Sequence, residues 1–202
     1  MRPSPSSLTP RGVAAYANAA LFAGALSFLG CSPASTSHQA EQAPSSSSAL
    51  DEWLPLVEDT VSQFETNSDD GELGMFVLEI NRPRPELAEL RIAGRVQRLL
   101  LEPGRVRHAT GGVLLEEPLE VGHTYRGSFG QVTITDLHHV ITVPAGHFDE
   151  CLVTVEEAEQ PPRRATSVYC KQIGLVALTV ESFGPEGGVV ENRLTQHGPR
   201  FK

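Results

Sequence analysis

Apolar and polar positions divide the chain into three stretches. From Gly12 to Leu29 nearly every residue is Ala, Leu, Phe or Val, behind a start that carries Arg2 and Arg11 and no acid. This is the pattern of a secretion leader, predicted over residues 1–30. Its rival, a membrane-spanning helix, has to accommodate Asn18 and Ser27 in a run slightly short of the roughly 20 apolar residues a span needs. Ser32 to Ala49 follows with Ser, Ala, Pro, Gln and Thr and no large apolar side chain. Such a composition cannot bury enough surface to offset chain entropy, so residues 31–49 are predicted to be a disordered tether.

Beyond Leu50 the pattern changes to short runs of Val, Leu, Ile and Thr, separated by Gly, Pro or acidic turns. Residues 50–202 are predicted to form one all-β domain: a single antiparallel meander, strongly curved or closed into a half-open barrel. The expected strands are Leu73 to Ile80, Glu89 to Leu101, Arg105 to Thr110, Thr124 to Phe129, Gln131 to Val143, Phe148 to Glu157, Ala165 to Ile173, Leu175 to Phe183 and Val189 to Gln196. A helical turn is expected only within Leu50 to Phe64. Between Gln131 and Val143 the apolar phase changes, as a bulge near Asp136 would cause. Two shorter strands with a break are the alternative.

The chain has three cysteines, so any pair leaves one over. If Cys151 faces Cys170, an antiparallel ladder keeps the sum of paired residue numbers at 321. Val153 then opposes Val168, Val155 opposes Thr166, and Glu157 opposes Arg164, each a compatible pair. The loop becomes Ala158 to Arg163. Cysteines directly across such a ladder meet disulfide geometry at a non-hydrogen-bonded position, in the oxidising compartment of an exported chain. Cys31 is the odd one.

Phe28-Leu29-Gly30-Cys31 resembles the lipobox of bacterial lipoproteins, with Phe28 where leucine is usual. The resemblance implies lipidation at Cys31 and, with Ser32 following, residence at the outer membrane by a lipid anchor. Acyl chains contribute about 0.8 kcal/mol per buried methylene, which holds a multiply acylated protein without a spanning helix.

A second resemblance lies in "ITVPAGHFDECLVTVEE", Ile141 to Glu157, with "SVYCKQIGLVAL", Ser167 to Leu178. It is similar to a signature of bacterial envelope proteins of uncharacterised function, with His147 in place of the usual threonine and "KQIGLV" lacking a proline. "EEPLEVGHTYRG", Glu116 to Gly127, looks like the element that precedes this signature. "WLPLVEDTVSQF", Trp53 to Phe64, echoes it weakly, as two related meanders would. The family implies a curved antiparallel sheet and brings no catalytic residues.

Charge narrows the partners. The formal net charge is −9, and loss of Arg2 and Arg11 with the leader takes it to −11. An acidic protein is expected to bind no nucleic acid. Seven of the fourteen arginines lie between Arg82 and Arg107. On one strand Arg91 and Arg95 share a face, which makes them a candidate anion or ligand site against the plainer reading of a solvated face.

No metal or cofactor site is expected. His138 and His139 alternate across a strand and cannot both serve one metal unless a bulge intervenes, whereas His123 and His147 sit at turns near Asp136, Asp149 and Glu150. No nucleophile motif or phosphate loop is present. The expected function is therefore non-catalytic: a membrane-anchored envelope lipoprotein that binds an apolar ligand or an envelope protein on its curved sheet. A structural or assembly protein ranks second and a hydrolase third. Replacing Cys31 with alanine is expected to release the protein from the membrane fraction. Unchanged attachment with an uncleaved precursor mass in both forms is the result a spanning helix would give.

Overall fold

In the computed structural model the described residues are 49–185 and 187–200. The predicted leader, Cys31 and the predicted tether up to residue 48 lie outside them. Ala49, assigned above to the tether, opens helix α1 (Ala49–Trp53). Twelve strands follow: β1 (Thr60–Ser68), β2 (Leu73–Arg84), β3 (Leu87–Ile92), β4 (Arg95–Glu102), β5 (Arg105–His108), β6 (Val113–Glu116), β7 (Thr124–Arg126), β8 (Gln131–Val143), β9 (Gly146–Glu159), β10 (Pro162–Cys170), β11 (Gly174–Ser182) and β12 (Gly188–Pro199).

They form one antiparallel sheet, nearly closed and barrel-shaped, in the order β6-β5-β4-β3-β2-β1-β12-β11-β10-β9-β8-β7. The fold is thus two six-strand meanders joined where β1 pairs with β12. Each meander begins shortly after a Pro-Leu pair, Pro55-Leu56 before β1 and Pro118-Leu119 before β7. The two free edges, β6 and β7, are consecutive in the chain. Tyr125 on β7 bridges them, its hydroxyl donating to the Leu114 carbonyl of β6 at 3.1 Å.

Cross-strand partners lie on the same face of a sheet, so the registers trace one continuous inner face. It carries Ile80, Leu90, Leu99, Val106 and Leu115 from the first meander. From the second it carries Tyr125, Val132, Ile134, Leu152 and Tyr169. These ten form the main core, with Leu50, Trp53, Leu54 and Leu56 plugged into the end where the chain enters. The plug's spacing places Leu50, Trp53 and Leu54 on one helical face, and Pro55 ends the turn. Arg82 donates to the Leu56 carbonyl at 2.9 Å, and the Gln172 amide to the Glu52 carbonyl at 2.7 Å, which fixes the plug to both meanders.

Two strands carry core on both faces. In β9 and β10, Leu152 and Tyr169 face the main core while Cys151, Val153, Val168 and Cys170 belong to a second cluster. The tip of the β8–β9 hairpin supplies Ile141, Val143, Ala145 and Phe148 to it. The register of β8 shifts three times between Ile134 and Ile141. Asp136 takes up one backbone donor there, its carboxylate accepting the His138 N–H at 2.9 Å. Past these bulges the hairpin docks on β12, the Ala145 N–H donating to the Leu194 carbonyl at 2.9 Å.

Three expectations are corrected. The run from Glu89 to Leu101 is a hairpin, because Ala93 and Gly94 both take positive φ, 47° and 78°, and reverse the chain between β3 and β4. Strands β1 and β6 were not anticipated. The β9–β10 reversal occupies only Gln160 and Pro161, a cis pair, with Glu159 opposite Pro162, so the expected six-residue loop is mostly ladder. Elsewhere in that hairpin the register sum of 321 holds from Glu159–Pro162 to Cys151–Cys170.

Cys151 and Cys170, 19 positions apart in the chain, form a disulfide with α-carbons 4.1 Å apart inside the second cluster. Replacing both with alanine is expected to lower unfolding stability by about 3 kcal/mol while leaving the β-sheet circular dichroism in place. A stability loss within error in denaturant titration would show that the bond stabilises nothing.

Candidate functional site

Burial along the inner face is graded. At the plugged end Thr60, Ser62 and Phe64 of β1 are buried, then Thr66 and Ser68 are only partly covered. In β2 the order is Ile80 buried, Leu78 and Phe76 partly covered, Gly74 exposed, and in β4 Leu99 is buried while Gln97 and Arg95 are open. In β11 and β12, Leu178, Val180 and Asn192 are partly covered and Val190 is 39% exposed. The barrel is a cup, closed where α1 sits and open at the opposite end.

The wall of the mouth combines apolar and polar positions. Phe76, Leu78, Ile92, Leu178 and Val180 supply the apolar part. The polar members are satisfied by one another: Thr66 donates to the Asn192 side-chain carbonyl at 2.8 Å, and the Asn192 amide reaches the Leu178 carbonyl at 3.4 Å. The wall therefore presents apolar contact surface rather than a row of free donors.

On one side the wall carries ionisable groups. Glu156 on β9 faces inward, and its Oε1 accepts the amides of Phe129 at 2.6 Å and Gly130 at 2.8 Å. The carboxylate thereby fixes the β7–β8 turn, Gly127 to Gly130. The turn needs both glycines: a Cβ on Gly127 would lie 2.3 Å from Glu156 Oε1, and one on Gly130 only 1.7 Å from the Glu157 carbonyl oxygen. Burial lifts the neighbouring Tyr169 phenol to about 12 and pushes the Tyr125 phenol up as well, so both stay protonated donors.

Besides a small one of about 310 Å³ along Pro161 and Phe183, two clefts open at the rim. One, about 710 Å³, lies at the seam between His108–Gly112 and Arg126–Ser128. Gly112 is pressed against the other side of the seam, where a Cβ would stand 2.5 Å from the Ser128 α-carbon. The other, about 760 Å³, lies among the β7–β8, β9–β10 and β11–β12 turns and is lined by Arg126, Phe129, Arg163 and Phe183 among others. A larger hollow of about 1040 Å³ at the plugged end is shallow and acidic, lined by Glu102, Glu116, Glu117 and Glu120. Glu102 is committed there to Arg105 and Arg107.

The arginines singled out from sequence do not make a site. Because the chain reverses at Ala93-Gly94, Arg91 stands opposite Val96 and Ile92 opposite Arg95, so Arg91 and Arg95 project to opposite faces. The histidines are scattered: His139 lies 3.8 Å from Asp136, and His147 Nδ1 lies 2.9 Å from the Thr142 hydroxyl. Among the described residues no three metal-ligating side chains converge. Arg163 and Phe129, by contrast, meet at the rim, the guanidinium 3.8 Å from the ring centroid. The sequence alone places Arg163 at the end of the loop Ala158 to Arg163, and the only signal for it is the Pro-Pro-Arg-Arg run itself.

No family model matches the chain, and no curated protein matches it. Several solved structures resemble it, among them two bacterial proteins. One, described as an exported protein with a YmcC-like fold from Bacteroides fragilis, is 12% identical over 72% of this chain and 98% of that chain, with a TM-score of 0.47. The other, described as a lipoprotein from Parabacteroides distasonis, is 13% identical with a TM-score of 0.46, and the same shares are covered. Likeness at this level carries nothing about ligand or site.

The inward histidines generate a pH dependence. Burial pushes His108 below its ordinary value of 6.5, with the Glu156 carboxylate pulling partly back, and His197 is lowered by burial alone. The unfolded chain therefore takes up protons first as pH drops, and stability present above about 6.5 is lost as pH descends toward the lowered folded values. Melting temperature is expected to fall between about pH 7.5 and 5.5, and His108→Asn to flatten part of that fall. Glu89 and Glu102, held low by Arg98 and Arg107, take up protons only further down. A melting temperature that rises on acidification through this window contradicts the assignment.

Proposed function

We propose that the protein is a non-catalytic envelope lipoprotein, held at the outer membrane by an acylated Cys31, whose cup takes up the apolar part of a ligand through its open mouth. The observation that carries the reading is the burial gradient. Apolar side chains continue along the inner face toward the mouth where the protein covers them only in part, at Phe76, Leu78, Ile92, Leu178 and Val180. Covering such surface contributes about 25 cal/mol per Å², a favourable term available to any chain-like apolar partner.

Three of the groups with chemical potential are already committed: Glu156 holds a turn, Asp136 a bulge, and His147 a neighbouring hydroxyl. That supports binding over chemistry. An assembly role in the envelope is the second reading, favoured by an outer stripe on β2 where Leu73 is 82% and Met75 68% exposed.

Native mass spectrometry of the protein taken from its own envelope is expected to show a co-purified lipid-like adduct. Leu178→Asp, which sets a charge on the apolar wall, should reduce adduct occupancy at least about tenfold with the fold intact. An adduct-free protein, or one whose adduct is indifferent to Leu178→Asp, would count for the assembly reading.

A further inference from the structure

We propose that the mouth's ligand is an amphipathic anion, a carboxylate or phosphate ester carrying an apolar chain, and that Arg163 at the rim takes its charged oxygens. The inference rests on the mouth as the binding place and specifies the chemistry of what binds there. By register Arg163 lies on the inner face, opposite Ala158 on β9 and Ser182 on β11, above the apolar positions Ala165 and Val180. A charged head at Arg163 leaves its chain pointing down the wall.

The state of this guanidinium is unusual for the molecule. Its Nε is buried and has no hydrogen-bond partner within the protein. Buried donors are nearly always paired, and an orphaned one on a cation calls for an acceptor. Arg164, the next residue, is paired to Glu157 at 2.8 Å and to Glu181 at 3.6 Å, and Arg193 to Glu65 at 2.6 Å. Among the described residues Arg163 has no such carboxylate.

Stacking on Phe129 replaces an ion pair as the means of holding it. A stacked guanidinium keeps its N–H groups in plane and free for bidentate contact with a carboxylate or phosphate, which a lysine does not reproduce. Phe129 is itself fixed, since its amide is one of the two bound by Glu156. Arg126 lines the same cleft from the outward face of β7, where it stands opposite Gln131. Of the acids lining it, Glu157 is held by Arg164, while Glu159 stands exposed at the hairpin end.

The test is retention of four probes by the full-length protein, released from a non-ionic detergent into native mass spectrometry near neutral pH: laurate, dodecyl phosphate, dodecanol and inorganic phosphate. Laurate and dodecyl phosphate are expected to be retained about tenfold or more over dodecanol. Arg163→Gln should bring laurate down to the level of dodecanol without lowering dodecanol itself, and Arg163→Lys should restore only part of the difference. Unchanged dodecanol retention in these variants also shows that they are folded. Equal retention of laurate and dodecanol by the unaltered protein overturns the anion assignment and leaves the mouth standing. Retention of inorganic phosphate equal to dodecyl phosphate, lost in Arg163→Gln, supports the Arg163 anion site but with a free anion as its source and overturns the amphipathic ligand. Retention of no probe overturns mouth and anion site together.

Discussion

The pairing of β1 with β12 is the constraint on which the rest of the molecule depends. Every other ladder joins strands that follow one another in the chain, so each meander closes on local contacts. Only β1–β12 brings residues some 130 positions apart into register, Thr60 opposite Pro199 and Ser68 opposite Val190. Loop-closure entropy grows slowly with length, so this one join is thermodynamically cheap, but it is the contact that turns two open sheets into a cup. It is made with polar and apolar residues facing inward. Ser62 meets His197 at 2.9 Å and Thr66 meets Asn192 at 2.8 Å, and between these two hydrogen-bonded pairs Phe64 opposes Leu194, both fully buried.

The edges left over by that join are β6 and β7, and how they are managed determines the shape. An exposed edge is a template for unwanted pairing, and barrels avoid it by closing. Here the edges approach without a ladder. One phenol-to-carbonyl bond and the close backbone approach at Gly112 and Ser128 stand in for it. The consequence is asymmetry between the ends. α1 fills the end below with Leu50, Trp53 and Leu54, while at the end above short β5, β6 and β7 leave an opening rimmed by turns.

This division explains which features were legible in the sequence. The β8–β9–β10 region was readable because its apolar alternation is strong and two cysteines fix a register that can be checked pair by pair. β1 was not, because "TVSQFETNS" buries Thr60 and Ser62 and turns Val61 outward, inverting the usual relation between hydropathy and burial. The β3–β4 hairpin was missed because Ala93, a residue with no strong turn signal, adopts positive φ beside Gly94. That single turn also undid the Arg91 and Arg95 site, since reversing the chain between them reverses which face one of them occupies.

The mouth could not have been read in the same way, because its wall is assembled from both meanders. Phe76 and Leu78 come from β2, Leu178 and Val180 from β11, and only the β1–β12 join makes them parts of one surface. Arg163 is a sharper case. In the sequence it is indistinguishable from Arg164, yet alternation along β10 sends Arg164 outward to Glu157 and Glu181 and Arg163 inward to Phe129. A one-residue slip of β10 against β9 would exchange their roles, and it would also break the Cys151–Cys170 pairing. The disulfide at one end of this hairpin therefore specifies which arginine faces the mouth at the other.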